Sequence, residues 1–239
     1  MLISRALETA ALRRENAALK KRSFGEADSL IGKSSAIQEI QQLIERASPT
    51  NSRILITGAA GTGKDIVARL VHQNSERSDE GFMVLNCATL RPERLEIELF
   101  GSEASGAGIE EYTGILEQAH GGTLLRDEIA DMPRETQGKI VRVLQEQRFR
   151  KIGGQKDIES DVRVIATTNK YLEILIEKGD FREDLYYRLN VIQIHIPPLC
   201  ERTEDIPELV RVFMQEMLKR FGFDDHHFTA AAMNVFKAY

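Results

Sequence analysis

No stretch of this 239-residue sequence is apolar for long enough to span a bilayer, and the amino terminus carries no apolar run ahead of a small-residue cleavage site. A cytoplasmic location with no membrane partner is therefore expected. Cysteine is scarce: Cys87 and Cys200 lie far apart and lack any metal-ligand spacing, so they read as reduced thiols rather than a disulfide framework or a zinc site. Positive charge is not in excess either. Against 37 Asp and Glu there are 32 Lys and Arg, a net charge of −5, so direct DNA binding by this chain is not expected. Internal repeats and low-complexity tracts are missing as well. What remains is 42% hydrophobic and 29% charged, ordinary values for a globular chain, in a length that suits one large α/β domain with a small appendage.

Three regions are expected. Residues 2 to 22 hold no Gly or Pro and are rich in Ala, Leu, Arg and Glu, which predicts a linker helix over 1–22. Leu12 and Leu19, one heptad apart around Asn16, leave open a short coiled coil or a solvated helix. Residues 23–198 form the α/β region. Ser34 or Ser35 caps a predicted helix to about Arg46, with Ile37, Ile40, Leu43 and Ile44 as its buried stripe. Strand-like runs follow at Arg53–Thr57, Phe82–Asn86, Thr123–Leu125, Val162–Thr167 and Val191–Ile196, with helical patterns between them, for example Lys64–Asn74, Pro133–Gln147 and Tyr171–Lys178. Strands alternating with helices imply a parallel sheet covered on both faces. After Pro197-Pro198, residues 199–239 read as purely helical, as a small second domain would.

Gly58-Ala59-Ala60-Gly61-Thr62-Gly63-Lys64 fits the G-x-x-x-x-G-K phosphate-loop pattern, and it falls between a predicted strand and a predicted helix. Glycines let the backbone wrap a phosphate so that several N–H groups and the helix amino terminus point at it. Lys64 is placed to bind the β- and γ-phosphates. The cradle runs on through Asp65, where the usual pattern has Ser or Thr on Mg²⁺, to Ile66. A carboxylate at Asp65 still suits the metal, directly or through water. Downstream, Gly121–Glu128 reads as a strand ending in two acids: Asp127 for Mg²⁺, and Glu128 to orient or deprotonate the attacking water. Loop, strand and acids together point to a nucleoside diphosphate or triphosphate with Mg²⁺, without fixing the base.

GAAGTGKD, NCATL, ELFG, GGTLLRDEI, ATTN, FREDLYYRLNVI and IPPL-ER-EDIPEL occur in an order that resembles the AAA+ activators of sigma-54 RNA polymerase, the NtrC family of response regulators. The resemblance runs from about Leu30 to Tyr239, and IADMPRETQ resembles its NtrX branch in particular. It implies an AAA+ P-loop ATPase with a helical lid, joined in the whole protein to a receiver domain addressed by a histidine kinase and to a helix-turn-helix DNA-binding domain. It implies that Asn86 pairs with Glu128 and switches it between resting and hydrolytic positions, and that Asn169 senses the γ-phosphate. Arg182 and Arg188 would reach the neighbouring subunit's nucleotide in a self-assembled ring or dimer, and the backbone near Ile31 and Gly32 would contact adenine. By the residues alone, Asn169 equally caps the next helix, and the arginines equally pair with Glu183 or Asp184. Phe181, Leu185 and Leu189 form the apolar stripe of that segment, leaving both arginines off the core.

Three departures from the family pattern matter. The sigma-54-contacting GAFTGA loop is replaced by GSEASGAGIEEYTG, Gly101 to Gly114, which is shorter, lacks the Phe-Thr tip and carries Glu110 and Glu111. Engagement of sigma-54 in the usual way is therefore not expected, a departure that fits the NtrX branch. Arg126 replaces an apolar residue before the acids. It should share a face with Leu124, emerge at the strand end and pair with an acid, since a buried lone charge is costly. Finally, Tyr239 precedes the stretch holding the second nucleotide sensor, so an incomplete lid that binds nucleotide better than it hydrolyses it is expected. Two functions compete on these grounds: an ATPase that remodels a partner, and a nucleotide-gated oligomerisation module with little turnover. An unrelated metabolic kinase finds no substrate-phosphate motif. Adjacent His226 and His227 do not converge on a metal, and His72 and His120 read as packing or hydrogen-bonding residues.

Overall fold

The computed structural model describes residues 29–104, 111–222 and 228–238. The predicted linker helix over 1–22, residues 105–110 of the altered loop (Glu110 among them), and His226-His227 lie outside the described residues. Helix α1 (Ser35–Ala47) begins at Ser34, whose hydroxyl accepts from the Ile37 N–H at 3.3 Å, one of the four amide donors a helix start leaves without a partner. Its Ile37, Ile40 and Ile44 are buried. The rest of the α/β region alternates as expected: β1 (Ile54–Thr57), α2 (Lys64–Gln73), β2 (Phe82–Asn86), α3 (Pro92–Phe100), α4 (Ile115–Gln118), β3 (Thr123–Asp127), α5 (Arg134–Glu146), a small antiparallel pair β4 (Arg148–Phe149) and β5 (Ile158–Glu159), β6 (Arg163–Thr168), α6 (Leu172–Lys178), α7 (Glu183–Leu189) and β7 (Ile192–His195). Beyond Pro198 the described chain is helical, with α8 (Ile206–Phe221) and α9 (Ala230–Ala238).

The sheet order is β2-β3-β6-β1-β7, and every pairing is parallel. Both faces are covered, so side chains alternate between two apolar layers rather than between core and solvent. Ile54, Ile56, Leu125 and Ile165 point to the layer built by α1 and α2; Leu55, Leu124, Val164 and Ala166 point to the layer containing Leu95, Ile140 and Leu185. Strand β3 runs two residues beyond the predicted apolar run, because its ladder with β2 continues through Asn86 opposite Asp127 and the Cys87 N–H donates to the Asp127 carbonyl at 2.9 Å.

That extension overturns the expectation for Arg126. It shares a face with Leu124 as alternation requires, but it neither emerges nor pairs with an acid. The side chain is fully buried, and none of its three guanidinium nitrogens has a hydrogen-bond partner. The cause is topological: β3 is an interior strand, and Arg126 lies in register between Leu85 of β2 and Ala166 of β6, so the strand has not yet ended there. Another buried arginine, Arg163, fares differently. It donates to the carbonyls of Ser48 at 2.7 Å and Ala47 at 2.9 Å, a cation placed against the carboxyl end of α1.

Candidate active site

Lys64, Asp127, Glu128 and Asn169 gather beyond the carboxyl ends of β1, β3 and β6, where open parallel sheets bind ligands. The Gly58–Gly63 loop leaves β1 with Gly58 at φ +157°; a Cβ there would sit 2.6 Å from the Ile196 carbonyl oxygen, so only glycine fits. Gly63 precedes α2 in the left-handed region, and Lys64 opens the helix. The buried ammonium of Lys64 donates to the carbonyls of Gly58 at 3.1 Å and Ala59 at 3.2 Å and lies 3.6 Å from Glu128 Oε1. Ala59, Ala60, Gly61 and Asp65 are exposed, while Thr62 turns inward and donates its hydroxyl to Ala59 at 2.9 Å. Ile66 is half-buried one turn on.

Glu128 has φ +52°, an unfavourable conformation for a residue with a Cβ, and the kind of strain that concentrates at functional sites. Two contacts hold it: its N–H donates to the Thr167 hydroxyl at 3.2 Å, and its Oε2 accepts from the Asn169 N–H at 3.1 Å. Thr167 in turn donates to Asp127 Oδ1 at 2.6 Å. The expected Asn86–Glu128 pair is not formed. Asn86 Nδ2 donates to Asp127 Oδ2 at 2.8 Å, because the β2–β3 register sets Asn86 opposite Asp127 while the left-handed turn carries Glu128 towards β6 and Lys64. Asn169 is exposed and does not cap the next helix, which starts after Tyr171. A cavity of about 240 Å³ lies beside the loop, lined by Gly58, Ala59, Asn169, Tyr171 and His195 among others; Lys64, Asp127 and Glu128 do not line it.

Arg182 and Arg188 are held elsewhere. Arg182 makes a two-pronged pair with Asp184, at 2.9 and 2.7 Å, and its N–H donates to Gln137. The Arg188 carbonyl accepts from Arg53 at 3.0 Å. Among the described residues no group of three or more His, Cys, Asp and Glu is arranged to hold a metal ion. The oxygen donors of Asp127 and the exposed Asp65 nonetheless suit a hard cation that takes most of its ligands from phosphate and water.

Three residues that bind the loop and the two acids to their surroundings were not singled out by the sequence. Thr167 links both acids. Arg202 donates to the Thr62 carbonyl at 3.2 Å, and Asp205 accepts from the Lys33 N–H at 2.6 Å, the Ser34 N–H at 2.8 Å and the Ser34 hydroxyl at 2.6 Å. Asp205 thus ties the start of α8 to the segment of Ile31 and Gly32, both half-buried. A Cβ on Gly32 would meet the carboxylate at 2.8 Å. Only the presence of these residues in ATTN and ER-EDIPEL signalled them. Burial pushes the Asp205 carboxyl upwards, but the bonds from Ser34 and Lys33, with Arg202 nearby, outweigh it and hold its pKa below the ordinary carboxylate value. The stabilisation is therefore complete above the unfolded pKa of about 3.9 and is lost as pH falls through the lower folded value. Asp205→Ala is expected to cost about 3 kcal/mol in urea unfolding at neutral pH, and the gap between variant and wild type should close on acidification. A gap unchanged by acid would assign the loss to packing instead.

Comparison with known proteins agrees with this geometry. Residues 30–195 match the model of the Sigma-54 interaction domain. The chain belongs to that family. Within the Sigma-54 interaction domain family it is 48% identical over 239 residues to the nitrogen assimilation regulatory protein NtrX of Azorhizobium caulinodans, covering 100% of this chain and 52% of the relative. Crystal structures of NtrX from Brucella abortus in complex with ADP and with ATP superpose with TM-scores of 0.86 and 0.85 at 47% and 48% identity. Each covers all of this chain, which spans 53% and 54% of theirs. The chain therefore spans about half the length of these relatives, and its AAA+ P-loop fold, with a parallel sheet between two helical layers, is that of the Sigma-54 interaction domain family.

Proposed function

We propose that the chain binds ATP and ADP and, assembled with further copies, hydrolyses ATP as the core of an NtrX-like transcription regulator. The observation that carries this is the convergence of Lys64, Glu128 and the Asn169 amide beyond one sheet edge, in a chain of which relatives were crystallised with both nucleotides. Phosphate oxygens compete for the Lys64 donors now taken by Gly58, Ala59 and Glu128. Drawing the ammonium away frees Glu128 to accept a proton from water. The loop from Gly58 to Ile66 cradles the phosphates, and Ile31 and Gly32 line the base. Mg²⁺ held by Asp127, with Asp65 near, would neutralise charge on the β- and γ-phosphates. Asn169 reports the γ-phosphate, and Arg182 and Arg188 serve the neighbouring copy.

The partners that follow are a second copy of the chain, receiver and helix-turn-helix domains, and a histidine kinase, all in the cytoplasm. Among the described residues no helix is long and apolar enough to cross a membrane. Sigma-54 is not gripped through the altered loop. A second reading, a nucleotide-gated oligomerisation module with little turnover, is favoured by the bond of Arg182 to Asp184, which occupies that guanidinium within its own copy.

Calorimetric ATP and ADP titrations, run beside phosphate release over a range of protein concentrations, separate the two. Lys64→Ala, which removes charged hydrogen bonds worth about 1.5–3 kcal/mol each, should weaken ATP binding at least about tenfold. Turnover that rises with protein concentration supports the ring ATPase. Binding without turnover supports the gated module, and no binding would end both.

A further inference from the structure

Arg126 heads the largest fully buried side chains among the described residues, and no carboxylate, carbonyl or hydroxyl satisfies it. Other buried arginines here are compensated: Arg163 by two carbonyls, Arg202 by the Thr62 carbonyl with Asp205 beside it. Next to Arg126 stands Cys87, but burial pushes its thiol up to about 12, so it is neutral at physiological pH. Asp127 points to the opposite face of the strand and is occupied by Asn86 and Thr167. Burial also lowers Arg126 to about 10, which still leaves it charged near neutrality. A guanidinium withdrawn from water with no opposite charge is among the most costly burials a core can contain.

The side chain does not end in packed hydrocarbon. It borders a cavity of about 50 Å³ that Arg53, Gln147 and Ser160 share, walled by Val143 and Val164. Arg53 brings a second cation, close enough to depress Arg126 electrostatically, and among the described residues one of its nitrogens is engaged, by the Arg188 carbonyl. Gln147, at φ +53°, is the left-handed cap that ends α5, its N–H donating to the Val143 carbonyl. The carboxyl end of α5 faces the cavity, but it offers at most about half a negative charge against two guanidiniums. A cavity needs roughly 10–15 Å³ to hold one water. This one holds more than that, yet is far too small for a nucleotide or a peptide.

We propose that the cavity between Arg126 and Arg53 binds a compact inorganic anion, a halide or a tetrahedral oxyanion, as the counter-ion of the buried guanidinium. Gln147 and Ser160 supply neutral donors. The site lies on the opposite face of β3 from Asp127, and it stands whether or not the nucleotide reading does.

Anomalous diffraction tests it directly, on crystals of the protein grown with bromide as the sole halide and, separately, with arsenate. A peak at the Arg126 guanidinium in bromide assigns a halide site, and one in arsenate an oxyanion site; only water-like density in both overturns the proposal. In solution, the thermal midpoint should rise by about 3–6 °C and saturate as bromide or phosphate replaces gluconate at constant ionic strength. Arg126→Met should abolish that rise at the anion the crystals select. Equal rises in wild type and Arg126→Met would overturn the site. Should Arg126→Met fail to fold, Arg53→Gln with a reduced rise serves in its place, and an undiminished rise there counts against the proposal.

Discussion

Arg182→Ala is expected to cut ATP turnover by about 10³–10⁵-fold at protein concentrations that sustain the wild-type rate, with ATP affinity little changed, which is the effect of withdrawing an arginine finger supplied in trans. Its present partner has to be released first, at small cost. Asp184 is a half-exposed carboxylate, and pairs of that kind contribute about 0–1 kcal/mol, far less than a guanidinium gains against transition-state phosphate. A mixing experiment decides the matter. Arg182→Ala copies keep an intact phosphate loop, and Lys64→Ala copies keep an intact arginine. If the arginine acts across the interface, mixing the two inactive proteins restores part of the activity. If turnover stays absent in the mixture, or Arg182→Ala alone is as active as wild type, the arginine has no such role.

Glu128→Gln should retain ATP binding and lose about 10²–10⁴ in turnover, the usual share of a positioned general base. The exchange keeps size and backbone, so the left-handed turn and the bond from the Asn169 N–H survive. What goes is the negative charge 3.6 Å from Lys64 and the capacity to take a proton. Removing that charge also frees the Lys64 ammonium for phosphate, so ATP affinity should rise or hold. Single-turnover measurement separates chemistry from release. An unchanged chemical step would exclude Glu128 as the base, whatever the steady-state rate.

Local signals were the legible ones. A β-branched run, a glycine-rich turn and a lysine opening a helix declare a phosphate loop within a dozen residues, and the alternation of strands and helices gave the parallel sheet and its two apolar layers. Features that depend on distant partners were not legible. Asp205 reads as one more acid at a helix start until the fold brings it to Ser34, 171 residues away. Thr167 looks like an ordinary β-branched strand residue until β6 lies beside β3. Asn86 was expected to hold Glu128, yet strand register gave it to Asp127. Arg126 failed for a related reason: the apolar run ends at Leu125, but the ladder does not, because strand length is set by the neighbours and not by hydropathy alone.

The place of β1 in the sheet has a consequence for the making of the protein. Its ladder partners are β6 and β7, with Ile54 in register with Ile165 on one side and Ile192 on the other. The strand that leads into the phosphate loop thus emerges from the ribosome long before either neighbour. At about 5–20 residues per second, about 7 to 28 seconds pass before β7 follows. Until then the glycine loop has no sheet edge to stand on, and the Ile196 N–H that braces Thr57 at 2.8 Å has not been made. The loop is therefore braced on its sheet only after β7 has followed.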